Sequence, residues 1–436
     1  MRRPSLTKTL TMSAVALLGA GLLTACTAED DGAEAPAGDV ELSFWSWVPE
    51  IEKAVDTWNA AHPDIHVTLS KQAGGGDLVT KLLTANQAGN PPDLVQAEYQ
   101  SLPTLVSNNV LADIAEQAAP VKDQFADGVW QQVSLGTESV YAIPQDAGPM
   151  MFYYRADLFD EYGLTVPTTW DGFAEAAREL RGKDDKKYLT TFSATDPGWF
   201  AGLAQQAGAA WWGIEGEAWR VSINDAATRK VADYWGGLVA EGAVSGQPMY
   251  TPEWNKALND GTLLTWPSAV WAPAVLETSA PDTKGKWAMA PMPQWTAGEN
   301  KTGNWGGSST GVTELSKHKD AAVQFATWLN TDPVATELLV TGGGIYPAAR
   351  AAQTGPALQK PPAFFPEQAD FWTVAQQAAD TAAGVTWGPN VNVTYDTYRD
   401  AFAKAITDKT PFSGALDAVQ QATVDDMTKN GFTVAA

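Results

Sequence analysis

The stretch VELSFWSWVPEIEKAVDTWNAAHPDIHVTLSKQAGGGDLVTKLLTANQAGNPPDLVQAEYQ, residues 40–100, decides the fold. Its first eight residues are apolar, aromatic and β-prone, and read as a strand. Pro49 then opens a helix in which Ile51, Ala54, Val55 and Trp58 recur at helical spacing. His62-Pro63 ends that helix, and DIHVTLSKQ alternates as a second strand. Gly74-Gly75-Gly76 turns the chain, and Asp77 caps a helix with Leu78, Leu82 and Leu83 on one face. PPDLVQAEYQ gives a third short strand that ends near Glu98 and Tyr99. This alternation predicts an α/β domain with a largely parallel sheet. Ligands of such sheets bind beyond the strand carboxyl ends, which singles out Ser46-Trp47 and Glu98-Tyr99.

From Asp146 the pattern restarts. GPMMFYYRADLF reads as a strand, PTTWDGFAEAARELR as a helix capped by Thr168 or Thr169, and KYLTTFSAT as another strand. GWFAGLAQQAGA and NDAATRKVADYWGGLVAEG read as helices, the second opening on an Asn-Asp cap. GTLLTWPSAVWAPAVLE is a strand running into a helix, and GKWAMAPMP is a strand. The Gly- and Ser-rich NWGGSSTGVTE returns before the helix KDAAVQFATWLNTD, and the last 70 or so residues look helical. No repeat at solenoid spacing occurs.

Ahead of the first strand, Arg2, Arg3 and Lys8 precede an apolar run from about Leu10 to Leu23, too short to span a bilayer comfortably. It ends in Leu23-Thr24-Ala25-Cys26, which resembles a bacterial lipobox; Cys26 is the sole cysteine of 436 residues. The resemblance implies removal of a signal peptide, residues 1–25, and a diacylglyceryl thioether on Cys26. An ordinary secretory signal is the competing reading, and Arg2-Arg3 leaves twin-arginine export open. Residues 26–40 are small and acidic and form a flexible tether. The remaining residues, about 395, suit two domains better than one core. A net charge of −23 excludes a nucleic-acid partner, because phosphate binding needs basic patches. One cysteine leaves no intrachain disulfide. The 19 tryptophans are the outlier: most belong in cores, and a minority should line something concave.

The order of these segments resembles the extracellular solute-binding proteins of carbohydrate ABC transporters, the family that includes maltose-binding protein, and within it the actinobacterial lipoproteins. SFWSWVPEIEKAVDTWNAAHPDIHV, LLTANQAGNPPDLVQAEY, VYAIPQDAGPMMFYYRADLFDEYGLTVPTTWDGF, GTLLTWPSAVWAP, GNWGGSSTGV and FATWLNTDPVA carry the likeness. It implies an α/β fold of two lobes joined by hinge strands around a central ligand cleft. The chain would cross at Ile143-Pro144-Gln145-Asp146, near Thr302 to Gly306, and near residues 350–362. Residues 41–144 and 305–352 would form the N-terminal lobe, and 145–304 and 353–436 the C-terminal lobe. The implied function is capture of a sugar, an oligosaccharide in particular, for an ABC importer at the outer face of the cell membrane. The partners would be the permease subunits, with the membrane touched through the lipid anchor alone and the protein a monomer.

A sugar offers C–H faces and a rim of hydroxyls, so its site needs flat aromatics and charged or amide groups. On that chemistry and the resemblance, the candidate ligand-binding residues are Trp47, Glu98, Tyr99, Asp146, Trp199, Trp271, Trp305, Gly307, Tyr346 and Trp387. Trp47 and Trp45 are expected to divide between cleft and core. Asp196 joins Trp199 in an acid-Pro-Gly-aromatic stretch, and Gly306-Gly307 would let backbone N–H groups approach ligand or would form a tight turn.

Other chemistry is set aside. GSSTG, residues 307–311, matches a serine-hydrolase elbow, but only His318 follows it. His62 and His66 have zinc-pair spacing interrupted by Pro63, so no metal site is expected. No P-loop and no cofactor motif occurs. The rival functions are a secreted glycoside hydrolase, which would need two carboxylates roughly 5 to 10 Å apart, and a surface adhesin with a flat aromatic face.

Overall fold

The computed structural model describes residues 39–435. The signal peptide, Cys26 and nearly all of the tether lie outside the described residues. The chain folds as β1 (Val40–Ser46), β2 (Ile65–Lys71), β3 (Leu94–Glu98), β4 (Ala142–Arg155), β5 (Trp212–Glu215), β6 (Ala218–Val221), β7 (Thr265–Ala269), β8 (Trp287–Ala290) and β9 (Asn304–Val312), with helices between and after them.

β1 pairs in parallel with β2 and β3. Two-residue periodicity buries Leu42, Phe44 and Ser46 together. It therefore puts Trp45 and Trp47 on the same side, half-buried, rather than dividing them; Lys81 lies 4.7 Å over the Trp45 ring. The first helix runs Glu52–Ala61, not from Pro49, and buries Ala54, Val55 and Trp58. The Trp58 indole N–H donates to the Ile65 carbonyl at 3.0 Å, tying that helix to β2. The second helix, Gly76–Gln87, begins on Gly75, so Asp77 lies in its first turn and is not its cap.

The seven-stranded sheet runs β2-β1-β3-β9-β4-β7, with β8 also on β4. β9 is antiparallel to β3 and β4. β4 holds the architecture together. Its 14 residues span about 46 Å at roughly 3.3 Å per residue. Residues Ala142 to Pro149 pair with β9, whereas Met150 to Arg155 pair with β7 and β8. Accordingly Ala142 and Ile143 belong to one hydrophobic core and Met150 to Tyr153 to a second, larger one.

Tryptophan fills much of the larger core. Trp199 stands 5.2 Å from Trp235, which stands 5.6 Å from Trp170, centroid to centroid. Their indoles find acceptors where the fold provides them: Trp170 on Gln206 and Trp199 on the Pro267 carbonyl, both at 2.9 Å. The expected strand KYLTTFSAT forms only isolated bridges at Tyr188 and Thr191, and the β5–β6 hairpin was not anticipated. Near the hinge strands a third segment joins in, where the Ala147 N–H donates to the Tyr346 carbonyl and the Ala348 N–H to Gln145. Residues 350–362 are not strand: they form the helix Arg350–Gln353 and the turn Pro356–Gln359, with Ala349 in the smaller core and Leu358 in the larger.

Candidate functional site

Between the two cores lies a cavity of about 420 Å³. One wall comes from the ends of the parallel strands: Trp47 just after β1, Gln96 and Glu98 on β3, and Gln100 beyond it. The floor is the joining pair, Asp146 on β4 with Gly306, Gly307 and Ser308 on β9. The opposite wall carries Asp196, Tyr250, Trp271, Trp305, Tyr395 and Arg399, and Gly343 to Ile345 close the rim.

The floor is braced by a chain of hydrogen bonds. Ser46 and the Trp47 N–H donate to Gln96 Oε1 at 2.7 and 3.2 Å. Gln96 Nε2 donates to Ser308 Oγ at 2.9 Å. Asp146 Oδ1 accepts from the Ser308 N–H at 2.8 Å and from the Ser308 hydroxyl. Asp146 Oδ2 accepts nothing among the described residues, so it remains available to a ligand.

The two glycines follow from backbone geometry. Gly306 and Gly307 have φ of 80° and 91°, where a side chain would be strained. They sit at a register shift between β4 and β9. A Cβ on Gly307 would also come within 2.9 Å of the Tyr99 ring.

The aromatic wall is a packed set rather than loose rings. Trp271 and Trp305 meet edge to face at 4.7 Å, and the Trp271 N–H donates to the Trp305 carbonyl at 2.9 Å. Trp266 and Trp254 back them from the core. Tyr250 joins the set and keeps 47% of its surface exposed although its φ is 63°, an unusual value for a bulky residue.

Burial dominates the electrostatics. It lifts Glu98 to about 7, with repulsion from Asp196 and Asp146 adding to it. Burial also lifts Asp146 and Asp196 to about 6; the Ser308 donors hold the first down, and the Trp199 N–H, Arg399 and Trp305 the second. Tyr250 and Tyr395 are pushed above the usual phenol range by desolvation of their hydroxyl ends within the cleft, even though the Tyr250 ring is half exposed, and then by these carboxylates.

Of the residues singled out from sequence, Trp47, Glu98, Asp146, Trp271, Trp305 and Gly307 come together on this cavity. Four do not. Trp199 is fully buried in the larger core and shows the cavity no face. Tyr99 is buried beneath Gly307, its hydroxyl donating to the Asp146 carbonyl at 3.0 Å. Tyr346 is buried against Trp372, although its neighbours Gly344 and Ile345 reach the rim. Trp387 packs 6.2 Å from Trp212, away from the cavity lining. Gln96, Gln100, Tyr250, Tyr395 and Arg399 were not anticipated. The last two stand one turn apart on the helix Val391–Asp408, a spacing visible in YDTYRD.

GSSTG lies within β9, where Ser309 donates to the Ala97 carbonyl at 3.0 Å, and is no strand-to-helix elbow. His62 stacks on Trp58 at 3.6 Å while His66 is exposed. Among the described residues no cluster of His, Cys, Asp and Glu is arranged to hold a metal ion.

Two α/β cores bridged by shared strands, with the cavity at the bridge, define the periplasmic-binding-protein fold. The chain belongs to the family described as bacterial extracellular solute-binding protein, which residues 45–336 match. It is thus an extracellular binding protein and not an enzyme. It is 28% identical to the lactose-binding protein of Rhizobium radiobacter over 401 residues, 87% of this chain and 91% of that one. It is 26% identical to an arabinooligosaccharide-binding protein of Halalkalibacterium halodurans over 342 residues, 75% and 76% of the two chains. Among solved structures, the galacto-N-biose/lacto-N-biose I-binding protein of Bifidobacterium longum superposes with a TM-score of 0.83 at 28% identity, covering 91% of this chain and 99% of that one. A binding protein of B. animalis subsp. lactis in complex with β-1,6-galactobiose gives 0.81 at 26% identity, covering 92% and 100%.

Proposed function

We propose that this protein is the saccharide-capturing receptor of an ABC importer, and that its ligand is a short, galactose-containing saccharide. One observation carries the reading: aromatic rings line both walls, Trp47 on one and Trp271 and Trp305 on the other, with Glu98 on the first wall, Asp196 on the second and Asp146 on the floor between. Flat C–H faces of a sugar suit the rings, and its hydroxyls suit the carboxylates as charge-assisted donors. A cavity of about 420 Å³ lies toward the small end of the roughly 300–1,000 Å³ typical of ligand pockets, which favours a disaccharide or slightly longer chain. The lactose, lacto-N-biose and galactobiose in the names of similar proteins support the galactose ring.

The N-terminal lobe is assigned to residues 41–144 and 305–352 and the other to 145–304 and 353–436. Sugar contacting both walls gives the closed arrangement contacts that the open one lacks, and the population shifts by that difference. The closed monomer then docks on permease subunits. Cys26, with two acyl chains on its thioether, holds the receptor at the outer face of the membrane, in the manner of an actinobacterial lipoprotein. Uncharacterised and maltooligosaccharide-binding lipoproteins among the similar chains support the anchor.

The test is titration of the purified protein with lactose, lacto-N-biose, β-1,6-galactobiose, maltose and arabinobiose, followed by tryptophan fluorescence with a product assay alongside. Saturable binding of a galactoside with intact sugar recovered is expected. Cleaved product, or no response to any soluble saccharide, overturns the reading.

A further inference from the structure

Charge on the cavity lining is carried by Glu98, Asp146, Asp196 and Arg399. None of the three carboxylates takes part in an ion pair among the described residues. Arg399 is already committed, donating to Asp396 at 2.7 Å and to the Thr195 carbonyl at 3.3 Å. The other titratable side chains on these walls, Tyr250 and Tyr395, are phenols that stay neutral near neutral pH, the neighbouring carboxylates pushing them further that way. Asp146 is buried and Glu98 and Asp196 are half-buried, so their charge is incompletely solvated and neutral donors on a ligand can meet it.

The three carboxylates are unequally compensated. Asp146 has both Ser308 donors on one oxygen. Asp196 accepts the Trp199 N–H at 3.1 Å as a helix cap and has Arg399 nearby. Among the described residues Glu98 has neither a backbone donor nor a cation paired with it, only the Gln100 side chain, and both other carboxylates repel it. It stands at the end of β3, where the wall opens toward ligand.

Resting on the saccharide reading above, we infer that this negative surplus makes the cleft an electrostatic filter that excludes saccharides carrying uronate, sulfate or phosphate, with Glu98 setting the exclusion. Neutral hydroxyls donate into unpaired carboxylates and relieve them. A ligand anion adds a further charge of the same sign to a partly desolvated space, where screening by solvent is weak. Specificity then comes from what is repelled as much as from what is held.

The experiment uses lactose, cellobiose and β-1,6-galactobiose, each beside its derivative oxidised at C6 of the non-reducing ring to the uronate, and beside the uncharged uronamide of the same size. Affinities are measured by calorimetry at about pH 8, where Glu98 is ionised. For each neutral sugar that binds, the uronate should bind at least about 30-fold more weakly, since like-charge juxtaposition is strongly penalised. The uronamide should lose far less. In Glu98→Gln, checked for folding by circular dichroism, the uronate-to-uronamide ratio should shrink by at least about fivefold, whatever happens to neutral affinity. Equal binding of uronate and uronamide, or an unchanged ratio in the variant, overturns the filter. If none of the three neutral disaccharides nor any other soluble sugar binds, the saccharide reading falls and the filter falls with it.

Discussion

Replacing Ser308 by alanine removes one oxygen from the chain that links the two sides of the cavity floor. Ser308 is 3% exposed, and its Oγ both accepts from Gln96 and donates to Asp146. The substitution therefore deletes one neutral and one charge-assisted bond and leaves Gln96 Nε2 buried without an acceptor. At about 0.5–1.5 kcal/mol for the first and about 1.5–3 kcal/mol for the second, the loss is about 2–4.5 kcal/mol. Asp146 keeps the Ser308 backbone donor but loses the hydroxyl, so its carboxyl should move up further from about 6. The same chain fixes Trp47, whose N–H rests on Gln96 Oε1, so a looser Gln96 should weaken saccharide binding as well. Urea unfolding of the ligand-free protein gives the stability loss. A cycle with Gln96→Ala should show a coupling of about 1 kcal/mol, because either change alone already breaks the shared bond. A loss under 0.5 kcal/mol with additive single variants would refute the linkage.

Trp271→Ala should weaken saccharide binding at least tenfold, on the order of 1.4 kcal/mol or more, while preserving the fold. Trp199→Ala should instead cost about 3–5 kcal/mol of stability, because its ring is fully buried; circular dichroism and titration separate the two. Acidification should act with opposite signs on stability and binding. Glu98, Asp146 and Asp196 hold protons more tightly when folded, so between roughly pH 4 and 7 the native state binds more protons and ligand-free stability falls as pH rises. Binding should strengthen over the same interval as the carboxylates become better acceptors, and calorimetry from pH 5 to 8 checks both slopes. Cys26→Ala should release the protein from membranes into the medium, with retained association refuting the anchor.

Local chemistry made the parallel half of the sheet and some helix starts legible, though neither Pro49 nor Asp77 is where its helix begins. Thr169 and Asp225, read as caps, and Asp196, read only as a ligand contact, each accept an N–H from the first turn of the helix they precede. The floor was reached through the family resemblance, which put a crossing at Ile143-Pro144-Gln145-Asp146 and another near Thr302 to Gly306. Trp199 misled for a readable reason. The helix Pro197–Gln206 is buried except at Gly198, and only its first turn, Pro197 and Gly198, reaches the cavity, so the Trp199 ring turns into the core. Gly198 matters in its stead: a Cβ there would stand 3.1 Å from Trp305 Cδ1, so its absence lets Trp305 occupy the place expected of Trp199. Tyr395 and Arg399 were hidden by distance along the chain. Val391, Thr394, Tyr398, Phe402 and Ala405 form the buried stripe of their helix, and both residues sit one position off it. Which flank of a stripe meets a cavity depends on packing between segments some 300 residues apart, which periodicity does not encode.

The position of the cavity follows from the way β4 and β9 join the cores. Their pairing shifts register between Pro144 and Asp146 and again between Ala147 and Pro149. A bulge bends a strand and frees backbone and side chains from the ladder. Here it frees Asp146 and the Gly306-Gly307 backbone to face the cavity. Close packing leaves no slack beside them: a Cβ on Gly148 would stand 2.3 Å from the Trp305 carbonyl oxygen. The atoms that a saccharide would touch at the floor are therefore the same atoms that set the geometry of the joining strands. A ligand that bonds Asp146 on β4 acts on the bridge directly, and the Gln96–Ser308 chain is a short relay from that contact to Trp47 on the facing wall.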